Sequence, residues 1–329
     1  MLRSIQVFVA VLALCCLSLP AQAVQRVFVS AISGNDANTA TGCAASAPCR
    51  WFAGAITAVD PNGEIVAMDS GAYGAVTITK SVSIISAPGV YAGITVFSGN
   101  GVTIATPGVS VVLRGLTING MGGLHGIYMT DGARLTVDRC EISNFSSGYG
   151  LGVSAAATVA VLDSLITGGY IAARFSGGAT ATVSRSRLLG NSNGLAAHAS
   201  AGTTTVSVIQ SEASGNGASG FDAYASSGGT VRLDIRDSVS TGNGGAGFYA
   251  STFGGTTWMS VSTSLASGNY YGFFCDNPSA TLTASGNTVT RNTYGLYQVD
   301  SAVLESTGDN IVRGNPTATT GTITAVTKM

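Results

Sequence analysis

Runs in which apolar and polar residues alternate return along most of the chain. Residues 221–224 and 231–236 alternate in this way on either side of a Ser-Ser-Gly-Gly turn, and residues 237–243 add a third short run that ends in Gly-Asn. Alternation with a period of two predicts strands that are half buried. Each repeat therefore predicts three strands joined by three turns.

Two sets of residues mark equivalent positions in successive repeats. One set is a glycine followed by a large apolar residue: Gly126-Ile127, Gly150-Leu151, Gly194-Leu195, Gly220-Phe221, Gly247-Phe248, Gly272-Phe273 and Gly295-Leu296, with Tyr170-Ile171 in the remaining repeat. The other set recurs at intervals of 22 to 27 residues: Cys140, Ser164, Ser186, Ser211, Ser238, Ser264, Asn287 and Asn310. A shared period predicts a stack of parallel coils, in which each strand pairs with its equivalent in the next coil about 4.8 Å away.

The repeat also predicts what fills the interior. One apolar column follows the glycines: Ile127, Leu151, Ile171, Leu195, Phe221, Phe248, Phe273 and Leu296. A second column comes from the second strand: Val137, Val161, Val183, Val208, Ile235 and Val261. The third strand is closed by Asn191, Asn216, Asn243, Asn269 and Asn292. The turn there needs left-handed backbone, which Asn and Gly tolerate, and buried carboxamides can also bond to one another as a ladder.

An open stack needs a cap, because its terminal strands expose unpaired edges. At the N-terminal end, Ser46 and Pro48 can begin a helix that residues 60–63 end. Its apolar face would consist of Trp51, Phe52, Ala55, Ile56 and Val59. We interpret Trp51 as core packing, and a platform for a sugar ring is the alternative. Residues 24–62 are therefore assigned to an N-terminal strand, a disulfide loop and this capping helix, and residues 63–329 to the stack.

The first 23 residues have the features of a secretory signal peptide. Arg3 precedes an apolar run from Ile5 to Leu19, which is followed by Pro20 and a small-x-small site at residues 21–23. A lipid anchor at Cys15 is the alternative. No later apolar stretch is long enough to span a bilayer. The chain is therefore expected to be secreted, periplasmic or at the cell surface.

Four cysteines follow the predicted signal peptide. Cys43 and Cys49 enclose five residues in a chain predicted to be exported, which favours a small disulfide loop over a zinc site. Cys140 and Cys275 fall at repeat positions, and we expect them to be buried thiols.

Charge is scarce, at 9% of residues with a net charge of −1, which argues against nucleic acid or an anionic membrane as partner. The hydrophobic fraction of 45% and the alternation argue against disorder.

Several short segments carry a resemblance to a known family. They are residues 27–30 (VFVS), 34–36 (GND), Cys43 with residues 48–50 (PCR), 71–74 (GAYG), 76–80 (VTITK) and coils such as 292–296 (NTYGL). Together they resemble the exported right-handed parallel β-helix repeat proteins of bacteria, with the pectin-lyase-like fold, over nearly the whole mature chain. The resemblance implies an all-β, right-handed parallel β-helix of roughly ten coils. The family includes polysaccharide lyases, glycoside hydrolases, esterases and non-catalytic surface proteins, so the fold does not select a function.

The catalytic motifs of familiar members are absent from the sequence. The chain has no adjacent Asp-Asp pair, only Leu124-His125-Gly126 where polygalacturonase-like enzymes have Gly-His-Gly, and two lysines in all, Lys80 and Lys328. It also lacks the Arg-x-Pro-x-x-Arg motif of pectate-lyase-like enzymes.

One set of outward residues combines the groups needed for chemistry on sugars. Counting from each glycine predicts two outward columns on the first strand: Tyr128, Gly152, Ala172, Ala196, Asp222, Tyr249, Phe274 and Tyr297, and Thr130, Ser154, Arg174, His198, Tyr224, Ser251, Asp276 and Val299. Arg174, His198 and Tyr224 would then lie on consecutive coils. A cation that neutralises a uronate, an imidazole and a phenol suit β-elimination or general acid/base catalysis.

Other interpretations of the same face remain open. Asp222 and Asp276 are a second candidate, as a carboxylate pair of an inverting glycosidase. Tyr249, Phe274 and Tyr297 are candidate ligand-binding residues, and a solvated strand face with no role is the simplest interpretation. Calcium at Asp36, Asn35 and Asn38 is an alternative, and no metal or other cofactor is predicted. We favour non-catalytic binding of a glycan or a surface partner, with a polysaccharide lyase or glycoside hydrolase as the alternative.

Overall fold

The computed structural model describes residues 25–327 of the chain, so the predicted signal peptide and Cys15 lie outside the described residues. The described chain forms a stack of about ten coils, each with one strand in each of three parallel sheets. None of its helices is long and apolar enough to cross a membrane.

The strands fall into three sheets, named here in the order in which a coil visits them. Sheet 1 has 11 strands: Val76–Ile78, Asn100–Ile104, His125–Met129, Tyr149–Val153, Ile171–Phe175, Asn193–Ala199, Phe221–Ser226, Ala246–Phe253, Tyr271–Asp276, Tyr294–Gln298 and Thr317–Thr320. Sheet 2 has 13 strands: Arg26–Val29, Gly63–Ala67, Val82–Ser86, Ser110–Arg114, Arg134–Asp138, Thr158–Leu162, Thr180–Ser184, Thr203–Ile209, Thr230–Arg236, Thr256–Ser262, Ala280–Ser285, Val303–Ser306 and Ile323–Ala325. Sheet 3 has 11 strands: Gly71–Ala72, Ala92–Val96, Leu116–Gly120, Glu141–Ser143, Leu165–Thr167, Arg187–Leu189, Glu212–Ser214, Val239–Thr241, Leu265–Ser267, Thr288–Thr290 and Ile311–Arg313.

The predicted interior column of sheet 1 is wrong at one coil. The register pairs Leu151 with Ala173, and Ala173 with Leu195, so Ala173 and not Ile171 takes the interior position. Other coils have a glycine just before this position because the chain approaches its neighbour closely there. A Cβ on Gly194, for example, would lie 2.3 Å from the carbonyl oxygen of Gly220. In the irregular coil, Ala172 takes the place of the glycine, which is why the sequence pattern slipped by two residues.

The predicted column of sheet 2 is confirmed. Val137, Val161, Val183, Val208, Ile235 and Val261 pair in register and are all at most 2% exposed. This column packs with that of sheet 1 along one continuous core.

Two hydrogen-bonded ladders run through the turns on either side of sheet 3. In the first, each backbone N–H donates to the side chain one coil further on, as from Ser211 to Ser238 Oγ at 3.1 Å. In the second, the Asn216 amide and side chain both donate to Asn243 Oδ1, at 3.0 and 2.9 Å. The asparagines themselves do not have left-handed backbone. Residues before them do, such as Gly242 with φ of 62°. The ladder is therefore confirmed, and the left-handed backbone of the turn lies at the residue before each asparagine and not at the asparagine itself.

The N-terminal end is capped by a helix, Phe52–Ala58, with Phe52, Ala55 and Ile56 buried against the first coils. It begins later than the predicted start near Ser46. The backbone N–H groups of Arg50 and Trp51 donate to Asp36 Oδ1, at 2.8 and 3.1 Å, which holds the preceding segment extended.

An exposed tryptophan and a disulfide lie beside the cap. Trp51 comes before the helix and is 40% exposed, under the guanidinium of Arg50, so its assignment to the core is wrong. Cys43 and Cys49 form the predicted disulfide beside a 3-10 helix, Asp36–Thr41.

Candidate functional site

The outer face of sheet 1 carries three groups of side chains that change from coil to coil. The N-terminal group consists of His125, Tyr128, Tyr149 and Arg174. The central group consists of His198, Asp222 and Tyr224. The aromatic patch consists of Tyr249, Tyr270, Tyr271, Phe274, Tyr294 and Tyr297, with Asp276 beside Tyr249. All belong to sheet 1 strands except Tyr270, which immediately precedes one.

Arg174 lies in a different outward column of sheet 1 from the one predicted for it. Arg174 pairs with Gly152 on one side and Ala196 on the other, so it shares its column with Asp222 and not with His198. This is the same slip of two residues that misplaced Ile171. Arg174 and His198 remain diagonal neighbours on adjacent coils.

Arg174 is held by the N-terminal group. Its Nη1 donates to Tyr149 Oη at 3.0 Å, and its guanidinium lies 5.3 Å from the centre of that ring. It forms no ion pair with a carboxylate of the described chain. Its charge is therefore available to an anionic ligand.

His125 is a residue of this face that the sequence pattern does not predict, since the pattern presents it only within Leu124-His125-Gly126. It lies between Tyr128 and Tyr149, with ring centres at 4.4 and 4.7 Å, and is 8% exposed. Its Nδ1 accepts a hydrogen bond from the Tyr149 backbone N–H at 2.9 Å, which requires an unprotonated Nδ1. Burial lowers the pKa of His125 below its usual 6.5. The sequence does mark this position, because His125 directly precedes a repeat glycine, as Tyr149 does in the next coil.

The central group is brought together as predicted. His198 pairs in register with Tyr224, and the two rings meet edge to face at 5.5 Å. His198 Nε2 lies 3.6 Å from Asp222 Oδ2, and the two side chains are 25% and 14% exposed. An imidazole, a carboxylate and a phenol thus share one partly buried surface.

Polar atoms without partners concentrate in and beside this group. The described chain has five buried side-chain polar atoms that lack a hydrogen bond, and three of them belong to His198 (Nε2), Asp222 (Oδ1) and Asp276 (Oδ1). Buried polar groups are nearly always bonded in native proteins, and exceptions often mark a position that a ligand or water completes.

The predicted carboxylate pair has a tyrosine between its members. Asp222 pairs in register with Tyr249, and Asp276 stands one coil beyond it. Tyr249 Oη approaches Asp276 Oδ2 at 3.4 Å. Burial, followed by the negative charges of Asp276 and Asp222, raises the pKa of Tyr249 to about 12. The phenol stays protonated at neutral pH and donates to Asp276 Oδ2, so its oxygen can accept a hydrogen bond from a ligand hydroxyl.

The aromatic patch is larger than the sequence analysis predicted. The predicted residues Tyr249, Phe274 and Tyr297 pair in register as one column. Tyr271 adds to it, with ring centres 4.7 Å from Phe274 and from Tyr297. Tyr294 and the 46% exposed Tyr270 extend the patch further. These three were missed because they precede the repeat glycine, and only residues after it were assigned to the outer face.

An open depression of about 410 Å³ connects the first two groups. Arg174, His198 and Tyr224 line it, together with the hydroxyl-bearing residues Ser154, Ser176 and Ser226. These groups can donate to and accept from sugar hydroxyls, and Arg174 can neutralise a carboxylate.

Within residues 25–327, no group of three or more His, Cys, Asp or Glu side chains could hold a metal ion. The residues considered for calcium serve the local fold. Asp36 holds the segment before the helix, Asn35 Oδ1 accepts from the Ala37 N–H, and Asn38 Nδ2 donates to the Pro48 carbonyl.

Comparison with known proteins agrees with this architecture. Residues 100–264 match the family model described as "Right handed beta helix region". The chain belongs to the right-handed β-helix family. The family match covers the N-terminal and central groups and the beginning of the aromatic patch.

Two solved structures share the fold of this right-handed β-helix protein. Pectate lyase Pel9A is 16% identical with a TM-score of 0.55, and the match covers 90% of this chain and 80% of that one. The A-module of mannuronan C-5 epimerase AlgE4 from Azotobacter vinelandii is 14% identical with a TM-score of 0.56, covering 82% and 91%. At these identities the likeness shows the fold alone. No curated protein matches the chain in sequence.

Proposed function

We propose that this right-handed β-helix protein binds a polysaccharide along the outer face of sheet 1. The observation that carries the proposal is the aromatic patch, in which six rings form one connected cluster, with Tyr270 exposed and the other five half-buried. Aromatic rings with polar tips suit the apolar faces and hydroxyl rims of sugars, and exposed patches of this kind mark binding surfaces.

The shape of the face suits a polymer better than a small molecule. From Tyr128 to Tyr297 the outward column crosses seven coil steps, a length of roughly 34 Å at strand spacing. The connections between strands of the coils have at most six residues, so no inserted loop closes the face.

Charge along the face favours contact with an acidic chain at one end. Arg174 is the one Lys or Arg within the sheet 1 strands, and it has no carboxylate partner in the described chain. The two solved structures are named for pectate and mannuronan, which supports a polysaccharide as ligand class. We also place the protein outside the cytoplasm, a proposal that the Cys43–Cys49 disulfide supports.

Catalysis at the central group is the second candidate, and the unpaired atoms of His198 and Asp222 favour it. In a β-elimination, His198 would take the proton next to a uronate carboxylate that Arg174 neutralises. The electron pair would form the new C=C bond as the glycosidic C–O bond breaks, and Tyr224 would protonate the leaving oxygen.

The test uses two tyrosines at equivalent positions of different coils. Tyr270 belongs to the aromatic patch and is 46% exposed, whereas Tyr170 occupies the same place in an earlier coil and is 50% exposed. Affinity electrophoresis through neutral and acidic polysaccharides should show retention of the protein. Tyr270→Ala should weaken binding about tenfold, or roughly 1.4 kcal/mol, and Tyr170→Ala should not.

Two other results would change the conclusion. Absence of retention on every polysaccharide, or equal losses in both variants, contradicts binding by the aromatic patch. New reducing ends or unsaturated uronates that disappear in His198→Ala would instead establish the catalytic candidate.

A further inference from the structure

The outer face of sheet 2 holds an exposed tryptophan that the fold does not need. Trp258 lies on strand Thr256–Ser262 between the inward residues Thr257 and Met259, and it is 42% exposed. In the adjacent coil Arg232 pairs with it in register, and the guanidinium lies 4.4 Å from the ring centre. The interior is filled by its neighbours, so the ring serves the surface and not the core.

Polar groups continue the same two strands beside the ring. The register places Asp234 next to Ser260, and Arg236 next to Ser262. Asp234 Oδ1 accepts a hydrogen bond from Ser260 Oγ at 2.8 Å. A depression of about 300 Å³ lies over these four residues and Ser207 of the preceding coil.

The two arginines lack the counter-charge that several other arginines of the stack have. Arg114, Arg185 and Arg187 each form an ion pair with an acidic side chain of a neighbouring coil. Within residues 25–327, neither Arg232 nor Arg236 forms an ion pair with a carboxylate. Their donors are therefore free for a ligand, apart from the contact of Arg232 with the tryptophan.

We infer that Trp258, Arg232, Asp234 and Arg236 form a second carbohydrate site, separate from sheet 1, for a neutral oligosaccharide. A sugar ring lies against Trp258, its hydroxyls donate to Asp234 and accept from Arg236, and Ser260 and Ser262 complete the rim. Asp234 lies between the two arginines along the strand. Its negative charge repels an anionic group at the centre of the depression, whereas its carboxylate can accept a hydrogen bond from a sugar hydroxyl there. The site goes beyond the function proposed for sheet 1 and does not require it.

The chain offers a direct spectroscopic test, because its two tryptophans are Trp51 and Trp258. Trp51→Phe leaves Trp258 as the one indole, and this variant is titrated with hexasaccharides of cellulose, xylan and starch, and with hexagalacturonate. We expect at least one neutral hexasaccharide to give a saturable blue shift of the emission, with a Kd of about 1 mM or below, and to protect the ring from acrylamide. Arg236→Ala and Asp234→Ala in this background should each weaken binding about tenfold.

Two controls separate this site from general effects and from sheet 1. Arg134 lies in the same outward column of sheet 2 as Arg232, four coils away. It is exposed and has no carboxylate partner in the described chain. Arg134→Ala should therefore leave the titration unchanged. Tyr270→Ala should also leave it unchanged, so failure of the sheet 1 proposal would not mimic failure here. Circular dichroism of each variant checks the fold, and the wild-type protein is titrated alongside.

Three outcomes would overturn the inference. They are an emission unaffected by every hexasaccharide at millimolar concentration, a response to hexagalacturonate alone, and a response that survives both Arg236→Ala and Asp234→Ala.

Discussion

The interior of the stack and the outer face of sheet 1 use polar side chains in opposite ways. Inside, the ladder asparagines repeat from coil to coil, and Asn243 both accepts from Asn216 and donates to Asn269. Outside, neighbouring coils carry different residues, and His198 Nε2 and Asp222 Oδ1 are buried without a hydrogen bond. The ladder asparagines satisfy one another by repetition, whereas His198 and Asp222 on the outer face each leave a buried atom unsatisfied.

This difference teaches where to look for function in a repeat protein. Residues that repeat are explained by the stack, because each coil needs the same turn, ladder and core residue. Residues that break the repeat on one face, such as Arg174 and His198, have no such explanation. The function proposed above rests on residues of the second kind.

Removing a ladder residue should have the largest effect and would sharpen the contrast. Asn243→Ala takes the acceptor from the backbone and side chain of Asn216 and the donor from Asn269, all in the buried interior. Such a loss should cost about 2 to 4 kcal/mol in the free energy of unfolding, measured by denaturant titration.

The terminal rung of the same ladder supplies the control. Asn315 also accepts from its neighbour, Asn292, but it is only half buried, so water can replace it. Asn315→Ala should cost about 1 kcal/mol or less. Equal losses at the two positions would mean that burial of the ladder does not set its contribution.

A pH titration should produce an intermediate effect on the outer face. Because burial lowers the pKa of His125, the unfolded chain binds a proton at this residue before the folded protein does. Stability should therefore fall as the pH drops from about 6.5 toward the lower pKa of the folded state, since protonation also breaks the bond from the Tyr149 N–H.

The melting temperature should fall less between pH 7.5 and pH 5 in His125→Gln than in the wild-type protein. An identical fall in both proteins would show that His125 contributes no pH dependence, and would argue against its buried, neutral state.

The smallest stability effect is expected at the central group. His198 is partly exposed and its Nε2 has no hydrogen-bond partner, so His198→Ala should change the free energy of unfolding by no more than about 0.5 kcal/mol. A loss comparable to that of Asn243→Ala would contradict the distinction between interior and outer face. The same variant tests catalysis, and an unchanged free energy of unfolding would make that test interpretable.

Particular residues show how far the sequence could be read. Val137 and its column, the Asn ladder, the capping helix and the Cys43–Cys49 bond were predicted, because alternation, spacing and loop length are local signals. His198 and Tyr224 were placed in register because their coils keep the glycine that marks the position.

The wrong or missing predictions concern a coil that lacks the repeat glycine and residues that precede this glycine. Arg174 was placed one column away because its coil carries Ala172 instead of glycine. Tyr271 and Tyr294 were left out of the aromatic patch because residues before the glycine were not expected on the outer face.

Alternation and spacing along the chain are enough to predict a parallel stack of three-stranded coils and most of the residues that build its repeat. The reason is that every coil has the same packing requirements, so the same residue types recur at equivalent positions. Contacts between side chains of different coils, such as Arg174 with Tyr149 and Arg232 with Trp258, are visible only in the folded stack. Those contacts depend on the register between coils. The length of each turn and the packing of the core side chains together set that register.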